Sequence, residues 1–577
     1  AGIAVFENGK IEVAKTKGRL ADLSAKMERE GKPQGHAGIG HTRWATHGEP
    51  SDVNSHPHSG RRVTIVHNGI IENYKQLKQF LIDNERDEFL SDTDTEVVAQ
   101  LLDFYYHGDP IKCIRRTLHE LRGSFALGII FADRPETVYA VRCESPLIVG
   151  QGHNEAFVAS DVPAIIKYTK DYYLLEYGEI AILKNGSVQF CTLHGRVIEK
   201  QLFTADWDED SAEKGGYPHY MLKEIHEQPT AVKTTITPRI EDGMPDLSEC
   251  GITPESLRKV NNIFIVACGT AMHAGMVGKY IIEKYARVSV TVDIASEFRY
   301  RDPLIGENDL VIIISQSGET ADSKAVLNLV KNTPAKTLAI VNVKGSSIAR
   351  EADMVIYTHA GPEIAVASTK AYMVQLSVIY LLAFEMAYAK GKIDQGKCQR
   401  LTAELARMPG VIKETIDKTV DQCQFISTKL ITADSLLYIG RGLDYALSME
   451  GSLKLKEISY IHSESYAAGE LKHGTISLVE EGMPVIAVAT QNRLLEKTVS
   501  NIKEAKARGA MTIVICDEEA DIDKDAADYL IRIPKRYEVI MPMVATVPMQ
   551  LLAYYTSVNK GNDVDKPRNL AKSVTVE

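Results

Sequence analysis

The sequence predicts a multidomain α/β protein, with an N-terminal domain of mixed α/β layers followed by two doubly wound parallel-sheet domains. Three observations lead there. The first is an internal repeat: 263–269 (IFIVACG) matches 436–442 (LLYIGRG), and two more apolar runs recur at nearly the same spacing, 310–314 with 484–488 and 337–341 with 511–515. The second is the grammar of each half, strand, glycine turn, helix, then further strands and helices, which is how a parallel sheet is wound by helices on both faces. The third is length, since 577 residues exceed what one core can fill at roughly 100–200 residues per domain.

Taken in order, residues 1–205 alternate short β-type runs (62–66, 124–131, 137–141, 179–183) with a helical pattern at 94–106. The opening AGIAVFENGK has no charged segment followed by an apolar one, so it does not read as a signal peptide. At 205–216 the chain turns acidic and glycine-containing (ADWDEDSAEKGG), and 206–245 is expected to be a linker. The two repeats then occupy 246–400 and 401–560, with a tail at 561–577. The apolar stretch 371–389 is interrupted by Gln375, Ser377 and Glu385 and reads as a buried core helix, not a membrane span.

The richest segment is 310–320, LVIIISQSGET, an apolar strand running into a hydroxyl-rich turn that opens a helix. Unpaired N–H groups and the helix dipole favour an anion there, and Ser315, Gln316, Ser317 and Thr320 add neutral donors. No lysine or arginine lies in the turn, which favours a small phosphomonoester over a P-loop nucleotide site. The same residue types also serve an ordinary helix N-cap, and the turn alone leaves both readings open. The second repeat has ATQNR (489–493) at the equivalent place, so one repeat only is expected to bind phosphate.

Composition narrows the classes. A net charge of −11 disfavours nucleic-acid binding, and 44% hydrophobic with 25% charged residues is ordinary globular usage. The eight cysteines lack metal-ligand or disulfide-framework spacing, which suits a reducing cytoplasm. No metal, cofactor, nucleic-acid or membrane partner is expected.

SQSGET together with VASTK (366–370) and the ending DKPRNLAKSVTVE (565–577) resembles the glutamine:fructose-6-phosphate amidotransferases, the glucosamine-6-phosphate synthases, in their bacterial form. HTRWATHG (41–48), HNGIIEN (67–73) and TDTEV (93–97) resemble that family's glutaminase domain, and the repeat resembles its paired sugar-isomerase (SIS) domains. The resemblance implies an αββα Ntn-hydrolase-like domain over 1–205. It further implies synthesis of glucosamine 6-phosphate and glutamate from fructose 6-phosphate and glutamine, the first step of hexosamine formation, in a cytoplasmic homodimer.

By that resemblance Arg43 grips the glutamine carboxylate, Asp94 its ammonium, and Asn68 with Gly69 the oxyanion, while Trp44, Thr46 and His47 complete the pocket. The family's nucleophile is an N-terminal cysteine, with an RGYDS segment some way after it. This sequence opens at Ala1 with AGIAV, which resembles the stretch just beyond RGYDS in the family, so an opening strand and helix of roughly thirty residues are expected to be absent from it, leaving the glutaminase half-reaction in doubt.

On the sugar side the resemblance adds Cys268, Gly269 and Thr270, and Val366, Ala367 and Ser368, to the phosphate loop. It casts His473 as the ring-opening acid, donated by the partner subunit, and Glu457 as the carrier of the C1–C2 proton, with Lys454 one helical turn away. Lys572 is cast as the amine that forms a Schiff base with the open ketose, on a tail folded back over the sugar. Two rivals remain. An amidophosphoribosyltransferase would carry an acidic pyrophosphate signature, and a glutaminase-dead isomerase or sugar-phosphate sensor would, in the sensor's case, lack Glu457, His473 and the lysine tail.

Overall fold

The computed structural model describes residues 1–43, 47–205 and 213–574. Two compact units emerge, one ending before Glu213 and one running Glu213–Ser573.

The first unit is built around a seven-stranded antiparallel sheet whose longest strands are Val63–Ile71, Gly123–Phe131 and Thr137–Cys143. Helices Tyr74–Asp83, Asp94–Tyr105 and Pro110–Glu120 close one face around Leu81, Val98, Leu102 and Ile114. The other face packs against a second β layer through Ala4, Phe6, Ala126, Ile130 and Val149. Strands of this kind face a core on both sides, so they read as continuous apolar runs such as FALGIIF. Helix Asp94–Tyr105 starts where it does because the Thr93 hydroxyl accepts the Glu96 N–H, and the Glu96 carboxylate in turn accepts Leu90 and Ser91 N–H groups.

The second unit holds two five-stranded parallel sheets of identical strand order, 2-1-3-4-5. The first uses Asn262–Ala267, Ser289–Ile294, Asp309–Ser315, Lys336–Val341 and Met354–Tyr357. The second uses Ser435–Gly440, His462–Ala467, Pro484–Ala489, Met511–Asp517 and Tyr529–Ile533. The three matched runs of the repeat are strands one, three and four of each sheet. One apolar core, including residues of helices Gly269–Tyr285, Lys370–Ala389, Gln395–Leu430, Leu443–Ser459 and Met541–Asn559, is shared by both repeats. Lys370–Ala389 is long and apolar enough to cross a membrane, and 94% of its most apolar window is buried inside the protein.

Two boundaries differ from the sequence reading. The expected linker 206–245 contains helix Tyr220–Ile236, whose Met221, Ile225, Val232 and Ile236 enter the shared core. Its buried face also carries Lys223, Glu224 and Gln228, and those polar residues hide the apolar stripe from a pattern search. The division at 400/401 falls inside the continuous helix Gln395–Leu430, so the repeats are joined by a rigid element rather than a break.

Candidate active site

The turn after strand Asp309–Ser315 is held open from within. Ser315 Oγ accepts the Gly318 N–H at 3.0 Å and pairs with Thr320 Oγ1 at 2.9 Å, while Ser317 Oγ accepts the Glu319 N–H at 3.2 Å. Gly318 has φ +67°, and a Cβ there would lie 2.0 Å from Ser346 Oγ, so only glycine fits. Thr320 stands at the N-cap of helix Ala321–Val330 and makes no side-chain capping bond. The first N–H groups of the helix therefore keep no side-chain acceptor from the cap, which is compatible with an anion there. In the second repeat the matching turn donates Thr490 N–H (2.8 Å), Thr490 Oγ (2.5 Å) and Gln491 N–H (3.2 Å) to the buried carboxylate of Asp444. That turn is filled by the chain's own anion.

The C-terminal tail reaches the first turn: Ser573 Oγ lies 3.0 Å from Ser317 Oγ. Its neighbour Lys572 donates to Glu363 Oε2 at 2.5 Å and to the Ala365 carbonyl at 2.8 Å. Glu363 is the hub of this corner, since it also accepts Ser368 Oγ (2.9 Å) and the N–H groups of Thr369 (2.9 Å) and Ala371 (3.0 Å). Burial alone would raise its pKa, but the Lys572 charge and these donors override that and hold it at about 2. Val366 N–H is bonded to the Asp565 carbonyl, so the 366–368 segment lines the tail.

A second chain of polar groups joins the two repeats. Cys268, whose thiol is 3.9 Å from Ser323 Oγ, stands at the N-cap position of helix Gly269–Tyr285 without a side-chain capping bond, and Gly269 opens the helix at φ +53°. Thr270 Oγ1 donates to Glu450 Oε1 at 3.1 Å, and His273 Nδ1 lies 2.8 Å from Glu450 Oε2. Lys454 sits 3.5 Å from Glu450 and 2.7 Å from Glu457, fully enclosed. Burial lowers the Lys454 pKa, and the carboxylates of Glu457 and Glu450 more than reverse this, so the amine stays charged. Glu457 is thus a partly exposed carboxylate fixed by a buried cation. His473 is exposed and makes no hydrogen bond or ion pair with a described residue. Among the described residues it forms no hydrogen bond or ion pair with Glu457.

In the first unit a pocket is lined by Arg43, His47, Asn68, Gly69 and Asp94, together with Thr95 and the histidines 41, 56 and 67. Arg43 binds the carbonyls of His47, Gly48 and Glu49. Asp94 Oδ2 accepts the Ile71 N–H at 2.9 Å. Gly69, at φ +143°, would drive a Cβ to 2.1 Å from the Ser124 carbonyl on the paired strand, so only glycine fits there. Trp44 and Thr46 lie outside the described residues. Histidines 41, 56 and 67 were not singled out by sequence. His41 stacks on His56 at 4.5 Å, and His67 Nδ1 meets Thr95 Oγ1 at 2.9 Å. Burial, then the neighbouring charges, pull His41 down to about 4 and His58 to about 3, with His56 well below its usual value. They stay neutral near pH 7, so Arg43 and Asp94 supply the pocket's opposite charges, a pattern that suits a zwitterionic amino acid.

Comparison with known proteins agrees with this layout. The SIS domain model matches residues 256–384 and 429–560, and the glutamine amidotransferase domain model matches 41–167. The glutamine--fructose-6-phosphate aminotransferase [isomerizing] of Caldanaerobacter subterraneus is 54% identical over 100% of this chain and 95% of its own length, and that of Clostridium acetobutylicum is 50% identical over the same shares. The chain belongs to the isomerizing glutamine–fructose-6-phosphate aminotransferase family. A solved C-terminal domain of the Francisella tularensis glucosamine-fructose-6-phosphate aminotransferase superposes with TM-score 0.59 at 40% identity, covering 61% of this chain and all of that one.

Within this aminotransferase-family fold, sequence reasoning missed Glu363, Glu450 and Asp444. Each is a carboxylate buried among donors from distant segments. The usable signal was slight: Glu450 lies one helical turn before Lys454, the spacing at which a Glu–Lys pair meets.

Proposed function

We propose that the protein converts fructose 6-phosphate and glutamine into glucosamine 6-phosphate and glutamate. The observation that supports this reading is the meeting of tail and turn: Ser573 touches Ser317 of the hydroxyl-rich turn, and its neighbour Lys572 is held on the Glu363 hub. In the sugar half, Ser315, Gln316, Ser317 and Thr320 hold the phosphate, and Cys268 to Thr270 with Val366 to Ser368 line the rest of the pocket. Lys572 condenses with the open ketose. Glu457, steadied by Lys454, moves the proton between C1 and C2, and His473 of a second copy of the chain assists ring opening, which makes the working unit a homodimer. In the glutaminase half, Arg43 and Asp94 hold the two charged ends of glutamine, and the family resemblance adds Trp44, Thr46 and His47 to the binding set. Asn68 and the Gly69 N–H receive the oxyanion.

The test is product formation. Fructose 6-phosphate alone should isomerise to glucose 6-phosphate, formation of glucosamine 6-phosphate from glutamine should require in addition the family's cysteine nucleophile, and Lys572→Ala should abolish both. A chain that binds fructose 6-phosphate but neither isomerises nor aminates it refutes this reading and leaves a sugar-phosphate sensor.

A further inference from the structure

Helix Tyr220–Ile236 touches both parts of the lysine site. Glu224, 1% exposed, accepts through Oε1 the N–H groups of Ile364 (2.6 Å) and Ala365 (3.1 Å). Those residues come directly after Glu363, the carboxylate that holds Lys572, and the Ala365 carbonyl is the second acceptor of the same amine. The N-terminus of the same helix holds the tail: Tyr220 and Met221 donate their N–H groups to Asp565 at 2.9 Å each, and the Asp565 carbonyl binds Val366 N–H at 3.0 Å. The turn that carries the acceptors and the tail that carries the amine are therefore pinned to one element.

We propose that Glu224 is a positioning residue for Lys572, fixing the 363–365 turn around the amine, and that it must be uncharged for the amine to react. The proposal rests on the reading of Lys572 as the Schiff-base amine. Glu224 Oε2 is buried without a hydrogen-bond partner among the described residues, a setting that tolerates a protonated carboxyl far better than a charged one. Burial first, then the charge of Glu363, push its pKa up to about 8, against the opposing pull of Lys572 and Lys370. The charged groups around it are Glu363 and Lys370 from the 363–370 segment, Lys572 from the tail, and Lys223 and Glu227 on its own helix. Glu227 is tied to Lys223 at 3.3 Å and to Lys370 at 2.7 Å.

The chemistry explains the requirement. The Lys572 nitrogen must release a proton, attack the C2 carbonyl with its lone pair and expel the carbonyl oxygen as water. An ionised Glu224 would add a second carboxylate beside the ammonium and hold that proton in place. Glutamine at this position keeps the Oε1 acceptor and cannot ionise.

The experiment is borohydride trapping of fructose 6-phosphate on the full chain between pH 6.5 and 9, with the hexose phosphate adduct at Lys572 counted by peptide mass spectrometry. Glu224→Gln should trap within about twofold of the unsubstituted protein at pH 7 and exceed it by about fivefold at pH 9, the ratio rising through pH 8. Glu224→Ala should lose about tenfold in trapping at pH 7 while its dissociation constant for fructose 6-phosphate, set by the phosphate turn, moves less than about threefold. If the unsubstituted protein is trapped at Lys572 but the Gln ratio is flat with pH, the proposal is overturned and the Schiff-base reading stands. If the unsubstituted protein is trapped elsewhere or not at all, both fall. Should Glu224→Ala not fold, the pH course of the Gln ratio alone decides.

Discussion

Asp444 offers the sharpest test of the idea that the second repeat fills its own anion site. Its carboxylate, 1% exposed, receives two backbone N–H groups and one hydroxyl from Thr490 and Gln491. Burial nonetheless outweighs those donors, and its pKa is raised from 3.8 to about 6. A carboxyl with a raised folded-state pKa binds its proton more tightly folded than unfolded. Stability linked to it is therefore full below about pH 4, falls as pH rises through about 6, and is flat above; two pKa units correspond to roughly 3 kcal/mol. Asp444→Asn keeps an oxygen for the two N–H groups and presents its NH2 to the Thr490 hydroxyl, which can turn to accept. It should remove the slope between pH 4 and 6 and be no less stable than the parent at pH 7.5. Asp444→Ala strands three buried donors at about 1–3 kcal/mol each, so a loss on the order of 3–9 kcal/mol is expected, larger below pH 4 than above pH 6 by the linked term. Amide hydrogen exchange of the peptide spanning 484–494, measured from pH 4 to 8 with correction for intrinsic rates, reads this sheet apart from the rest of the protein. Unchanged protection in Asp444→Ala, or an undiminished pH slope in Asp444→Asn, would refute the reasoning.

The sugar-phosphate site yields further expected outcomes. Ser317→Ala removes one neutral donor and the contact to Ser573, and should raise KM for fructose 6-phosphate by a factor worth about 0.5–1.5 kcal/mol; a loss as steep as breaking a charged pair would show that a lysine or arginine reaches the phosphate. Gly318→Ala, whose Cβ would meet Ser346 at 2.0 Å, should weaken sugar-phosphate binding more than Ser317→Ala does, as measured by calorimetry, and equal affinity would contradict the close approach of turn and Ser346. Lys454→Met leaves the buried Glu450 without its cation and should cost about 3–5 kcal/mol in urea unfolding, with loss of isomerisation; a stable, active variant would remove Lys454 from both roles. Deleting 566–577 should abolish isomerisation while circular dichroism stays unchanged.

By itself the sequence determined the elements whose cause is local. The strands are apolar runs of the right length, the glycine turns recur in both halves, and the SQSGET turn shows its hydroxyls within six consecutive residues, so repeat, fold class and the hydroxyl-rich turn were all legible. So were pairs one helical turn apart, such as Lys454 with Glu457. What only the tertiary structure decided was which distant groups share a charge. Lys572 and Glu363 are 209 residues apart, and Glu224 is 141 residues from the Ala365 N–H it accepts. Glu224 and Lys223 even worked against the reading, because charged residues on a buried face make a core helix look like a linker. Whether the anion in each repeat is a ligand or Asp444 was equally invisible. A turn's N–H groups are set by local backbone geometry, but what fills them depends on which carboxylate packing brings within hydrogen-bond range.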